Sequence, residues 1–122
     1  MNKAIEKLLE FYQKNGIIEL SSVTGQPIKK LVDLLGLDLK TFEDIEFKPH
    51  YDGVVGKIMF DNGYGASVVR HEYSYGGKLG LYELAILDST EDIVYDTPIT
   101  SDVLGFLTPN EVTKHLIEIQ KL

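Results

Sequence analysis

Three histidines, His50, His71 and His115, are the side chains of this sequence best suited to acid–base chemistry or metal ligation, because imidazole changes charge near neutral pH. None stands in an HxH or HExxH spacing, and there is no cysteine to complete a ligand set. A metal would need convergence over long range, so neither a metal nor any other cofactor is expected. His115 falls among apolar neighbours on a helical stretch and reads as a boundary residue. For nucleophilic catalysis the chain offers no GxSxG elbow; Ser67 falls inside a strand pattern and Ser74 inside a loop. Gly76-Gly77-Lys78 lacks the spacing of a phosphate loop and has no helix behind it. Gly63-Tyr64-Gly65-Ala66-Ser67 resembles a nucleotide fingerprint in its glycines alone, since it follows a hairpin turn and leads into a strand. Asp61, Glu72, Glu83 and Asp96 are the carboxylates that could work as an acid–base pair, and their spacing joins none of them. The reading is of a protein that is not an enzyme.

Recognition chemistry is better supplied. Five of the seven tyrosines fall between residues 64 and 95, beside Arg70, His71 and Lys78. Tyrosine and arginine are enriched at binding hot spots because each buries much area while keeping a polar handle. Tyr82 and Tyr95 fit strands and belong to the fold. Arg70, His71, Tyr73, Tyr75 and Lys78 are therefore the candidate residues for contact with a protein partner. A second set lies in residues 17–36, where Leu20, Ser21, Gly25 and then Ile28, Leu31 and Leu34 follow a helix-turn-helix pattern. As a DNA reader it would use Gln26, Lys29 and Lys30, a thin set of base-reading side chains. The competing reading, a helical hairpin that lays its apolar face on a sheet, is preferred.

Charge argues the same way. The net charge is -7, and residues 50–122 carry five Lys or Arg against eleven Asp or Glu, so most of the acid lies in the second half. That half would repel a phosphate backbone. The 122 residues fit one domain, with a helical part over 1–49 and a sheet plus C-terminal helix over 50–122. Absence of cysteine suits a reducing compartment. No signal-peptide pattern opens the chain, and no run approaches the roughly 20 apolar residues of a membrane span, so a cytoplasmic protein is expected. Composition leaves the oligomeric state open, a dimer included.

Elements must position these residues, and hydrophobic periodicity supplies them. Ile5, Leu8, Leu9 and Tyr12 form one helical face that Asn15-Gly16 ends; a short helix from Ile17, a turn at Gly25 and a second helix from Ile28 to Gly36 follow. Residues 37–47 read as a short helix or irregular segment, and Lys48-Pro49-His50-Tyr51-Asp52-Gly53 as punctuation. Asn62-Gly63 reads as a two-residue hairpin loop, which pairs Phe60 with Gly65, Met59 with Ala66 and Ile58 with Ser67. One face then carries Val54, Ile58, Phe60 and Val69, the other Val55, Met59 and Val68. His71–Gly80 is a loop. Leu81–Asp88 is a third strand, with Tyr82, Leu84 and Ile86 on one face, and Ile93-Val94-Tyr95 a fourth. Val103–Leu107 reads as a turn. Thr108-Pro109-Asn110-Glu111 is a capping box that opens a helix with Val112, Leu116 and Ile119 buried. The fold class expected is α+β, an antiparallel meander of about four strands covered by helices.

The runs FDNGYGASVVR over 60–70, GLYELAIL over 80–87 and YDTPIT over 95–100 resemble a set of small uncharacterised proteins from bacteriophages and prophages, over about residues 54–122. The resemblance implies a viral accessory protein of the bacterial cytoplasm, one that binds a host or viral macromolecule as an inhibitor or modulator. It implies no catalytic residues. Residues 1–50 lie outside it.

Overall fold

The computed structural model describes residues 27–122; the expected helix over residues 5–12, the short helix from Ile17 and Gln26 lie outside the described residues. Helix α1 (Pro27–Leu35) runs into a 3-10 turn at Phe42–Asp44, then strands β1 (Lys48–His50), β2 (Gly53–Met59), β3 (Gly65–Arg70), β4 (Tyr82–Leu87) and β5 (Leu104–Leu107), and closes with helix α2 (Pro109–Lys121). The sheet is an antiparallel meander of five strands in sequence order. The α+β expectation holds, with one more strand than expected.

Two strands come from stretches read as connections, and one expected strand is lost. Lys48-Pro49-His50 pairs with Val55, Val54 and Gly53 as an edge strand. Proline is tolerated there because its missing N–H costs nothing on an edge. Leu104–Leu107 takes the other edge, with Tyr82 opposite Leu107 and Leu84 opposite Leu104. With β5 there, Ile93-Val94-Tyr95 is no strand: it keeps one bridge, Ile93 to Leu87, and the bond from Val94 N to Ile86 O at 2.9 Å.

The first hairpin is also one residue out of the expected register. Met59 faces Gly65, Ile58 faces Ala66 and Gly56 faces Val68. The loop is Asp61-Asn62-Gly63, closed by Gly63 N to Phe60 O (3.2 Å) and Phe60 N to Tyr64 O (2.8 Å), with Gly63 alone left-handed at φ 88°. This is the three-residue loop in which a type I turn precedes a left-handed residue. Asn62 has other work. Its Nδ2 donates to the carbonyls of Ile119 (2.8 Å) and Leu122 (3.2 Å), while Oδ1 accepts from Tyr64 N. It thereby gives the Leu122 carbonyl a donor and the Ile119 carbonyl a second one beside Leu122 N. A slip of one residue turns over a whole strand face. Val68 and Ala66 are accordingly buried with Ile58 and Phe60, and Val69 is not in that core. Met59, not Phe60, crowds Gly65, whose missing Cβ lets its side chain approach.

Helix α2 is the common partner of both layers. Its capping box is as expected, with Thr108 N donating to Glu111 Oε1 (3.0 Å) and Glu111 N to Thr108 Oγ1 (3.2 Å). Val112, Leu116 and Ile119 pack on Ala66, Val68, Tyr82, Leu84 and Ile86. On a second side Ile117 meets Ile28 and Val32 of α1, so α1 rests on α2 and not on the sheet. Leu34, expected in the apolar stripe, is 80% exposed. Buried Asn110 accepts from Ile28 N (3.0 Å), buried Thr113 accepts from Phe42 N (2.9 Å), and Gln120 exchanges two bonds with the backbone of Lys40. Gly36, at φ 63°, ends α1 with Gly36 N to Asp33 O and Leu37 N to Val32 O, the paired bonds of a Schellman motif. Among the described residues no helix is long and apolar enough to cross a membrane.

Candidate functional site

Three connections meet at the end of the sheet where α2 begins: the β1–β2 turn, the loop between β3 and β4, and the kinked strand β5. The β1–β2 turn is only Tyr51-Asp52, because His50 pairs with Gly53. A two-residue hairpin loop of right-handed twist needs positive φ in its centre, and Tyr51 takes it at φ 52°. Left-handed backbone costs a residue with a Cβ about 1–2 kcal/mol. The ring this presents to solvent is 78% exposed.

The loop from His71 to Gly80 is held by its own backbone. Ser74 Oγ accepts from His71 N (3.0 Å) and donates to His71 O (2.9 Å), and Leu81 N closes on Gly76 O (3.0 Å). Gly77 has no room for a Cβ, which would strike the His71 carbonyl. The loop is also tied outward, through Glu72 N to Asp52 Oδ1 (3.1 Å), Tyr75 N to Glu83 Oε1 (3.0 Å) and Phe106 N to Tyr75 O (3.1 Å). The glycines thus serve close packing as well as turning.

Strand β5 carries the third device. Two residues, Gly105 and Phe106, stand where β4 has only Glu83 between its paired neighbours. Such a bulge re-aims a side chain. Phe106 sits in it at φ 56°, with its ring more than half exposed, and Tyr75 packs over Gly105.

The rings form a chain. His50 meets His71 at 5.4 Å between centroids, Tyr51 meets both at 4.5 and 5.3 Å, and Tyr73 follows His71 at 6.2 Å. His71 Nδ1 accepts from Tyr73 N (3.1 Å), which places the proton of the neutral ring on Nε2. Below them Arg70 lies over the Tyr82 ring, 5.1 Å from its centroid, and donates to Tyr82 Oη at 3.2 Å. A depression of about 400 Å³ opens between the turn and the loop, lined by Asp52, Gly53, Arg70, His71, Glu72 and Lys78 among others.

Of the sequence-derived partner set, Arg70, His71 and Lys78 border one depression, and Tyr73 joins it through His71. Tyr75 lies farther along the loop, against β5. Sequence reasoning missed His50, Tyr51 and Phe106. The pairing of His50 with His71 is the long-range convergence that spacing could not reveal, yet among the described residues no group of three or more His, Asp or Glu could hold a metal ion. A signal for Tyr51 was present in the tight spacing of Pro49 and Gly53, and one for Phe106 in Gly105 just before it.

The proposed DNA-reading lysines stand elsewhere. Lys29 is paired with Asp33 at 2.7 Å, and its pKa is raised by that hydrogen bond and by the nearby charges of Asp33, Glu43 and Asp44. Lys30 is exposed on the same helix.

Fold and site together define an α+β protein with an antiparallel sheet, one end of which presents exposed aromatic rings and a depression bordered by a half-buried arginine. Comparison with protein families, with characterised proteins and with solved structures finds no match.

Proposed function

We propose that the protein works by binding another protein through this aromatic end of the sheet, without catalysis. The observation that carries the reading is the backbone strain. Three described non-glycine residues have positive φ, and two of them, Tyr51 and Phe106, are exposed aromatics on this surface. Strain of this kind persists where the surrounding structure imposes it, and it clusters at binding and active sites. The Tyr51 ring recovers part of its strain against His50 and His71, and a ring buried in a partner gains much more.

The resemblance to phage and prophage proteins supports a partner in a bacterial cytoplasm, host or viral, whose activity is inhibited or modulated. DNA reading through residues 17–36 gains less support. Lys29 is already paired, three acids surround it, and Leu34 and Leu35 stand exposed beside Lys30. Phosphates are drawn by accumulated cations, and the described helix of that segment carries two, Lys29 and Lys30.

Affinity capture from bacterial extract, with Tyr73→Ala and Tyr75→Ala as controls, tests the reading. A protein retained by the wild type and released by either substitution supports it. Retention unaffected by both, or tight binding of random DNA at physiological salt, counts against it.

A further inference from the structure

The depression between the β1–β2 turn and the loop from His71 has an internal division of charge. Arg70 and Lys78 stand on it, and so do Asp52 and Glu72, yet among the described residues neither cation forms an ion pair. The acid Asp52 is engaged otherwise, accepting from Glu72 N. Arg70 is half-buried and held by Tyr82, which takes one of the five N–H donors of a guanidinium and leaves the others. A guanidinium held on one side with donors to spare suits a planar oxyanion.

We infer that this depression binds a carboxylate of the partner polypeptide, a glutamate or aspartate side chain or a chain terminus, with an aromatic or apolar neighbour resting on Tyr51 and Tyr73. Arg70 supplies the paired donors and Lys78 the second positive charge. Charge on the rest of the molecule selects carboxylate over phosphate. Residues 50–122 carry eleven acids against five Lys or Arg, and a group of two negative charges is repelled more strongly than a group of one. Asp52 and Glu72 sharpen the same preference at the site itself. The inference rests on the reading that this end of the sheet is the contact surface.

Amide chemical-shift titration of the full chain tests it, with four probes: N-acetyl-tyrosine, N-acetyl-glutamyl-tyrosinamide, N-acetyl-tyrosinamide and inorganic phosphate. Either carboxylate probe should move the amides of Gly53, Arg70, His71 and Gly77, and the stronger of the two tells terminus from side chain. Arg70→Gln should weaken that binding about tenfold to a hundredfold, as loss of a charged hydrogen bond does. Arg70 also packs on Tyr82, so Lys78→Gln, on an exposed side chain, provides a separate loss of about two- to fivefold. Equal shifts from the uncharged tyrosinamide, tighter binding of phosphate, or undiminished binding to folded Arg70→Gln would overturn the inference. If Arg70→Gln keeps the partner while Tyr73→Ala releases it, the carboxylate site falls and the binding surface stands.

Discussion

The ring of Tyr51 meets the imidazole of His71 edge to face, 5.3 Å between centroids and 63° between planes. That contact joins a two-residue turn to a loop that starts two strands later. It holds because Asp52 accepts from Glu72 N beside it and because Gly53 admits the Arg70 carbonyl where a Cβ would collide. The binding surface is therefore a product of pairing between β1, β2 and β3.

Tyr51 separates stability from function. Tyr51→Gly removes left-handed strain worth about 1–2 kcal/mol. It also removes ring contacts worth about 0.5–1.5 kcal/mol each and loosens the unfolded chain. The sum leaves Tyr51→Gly about 1 kcal/mol less stable than the wild type. Tyr51→Ala keeps the strain and loses the ring, so it is destabilised by about 1 kcal/mol relative to Tyr51→Gly. Both lose partner capture. The same contrast applies at Phe106, where Phe106→Val, β-branched in left-handed backbone, costs more than Phe106→Gly. Urea unfolding of the four variants checks this.

Asn62 ties the first hairpin to the end of α2. Asn62→Ala removes the side-chain donor from the Leu122 carbonyl and one of two donors from the Ile119 carbonyl, which keeps Leu122 N, and costs about 1 kcal/mol. Asn62→Asp keeps the acceptor for Tyr64 N yet brings negative charge to the negative end of the helix, so it is no better than alanine. A destabilisation smaller for aspartate than for alanine would contradict the capping role.

Glu118 sets part of the acid sensitivity. Burial pushes its carboxyl up, but the hydrogen bond from His115 at 2.6 Å and the charges of His115, Lys114 and Lys121 outweigh burial and hold its pKa below the ordinary 4.5. A carboxylate depressed on folding contributes stability that is fully present above its unfolded value and lost as pH falls through its folded value. The stability lost in Glu118→Gln should thus shrink as pH falls through the range below about pH 4.5. Unfolding midpoints measured across that range decide it; a difference that grows on acidification contradicts the assignment.

Much of this fold was legible in the residues themselves. Periodicity located β2, β3, β4, α1 and α2, and Thr108-Pro109-Asn110-Glu111 located the start of α2 to the residue. What escaped was decided by partners distant in sequence. Asn62 looked like half of a two-residue loop because Asn-Gly favours one, and only the carbonyls at Ile119 and Leu122 explain why it turns the other way. Lys48–His50 and Leu104–Leu107 are short edge strands with Pro49 and Gly105 inside them, so local preference argued against both. The site was half legible for the same reason. Composition marked Arg70 at the end of β3 and His71, Tyr73, Tyr75 and Lys78 on the loop that follows it, while His50, Tyr51 and Phe106 reach that loop only through strand pairing and a bulge.

The central claim is that the aromatic end of the sheet is where a partner docks, and site-specific photo-crosslinking tests it most directly. A benzophenone side chain is placed at Tyr73, at Phe106 and, as a control, at Ile93, which is exposed beside Leu87 toward the opposite end of the sheet. Irradiation in bacterial cells should join one dominant protein to positions 73 and 106 and none of it to position 93. Equal adducts at all three positions, or an adduct confined to position 93, would contradict the account.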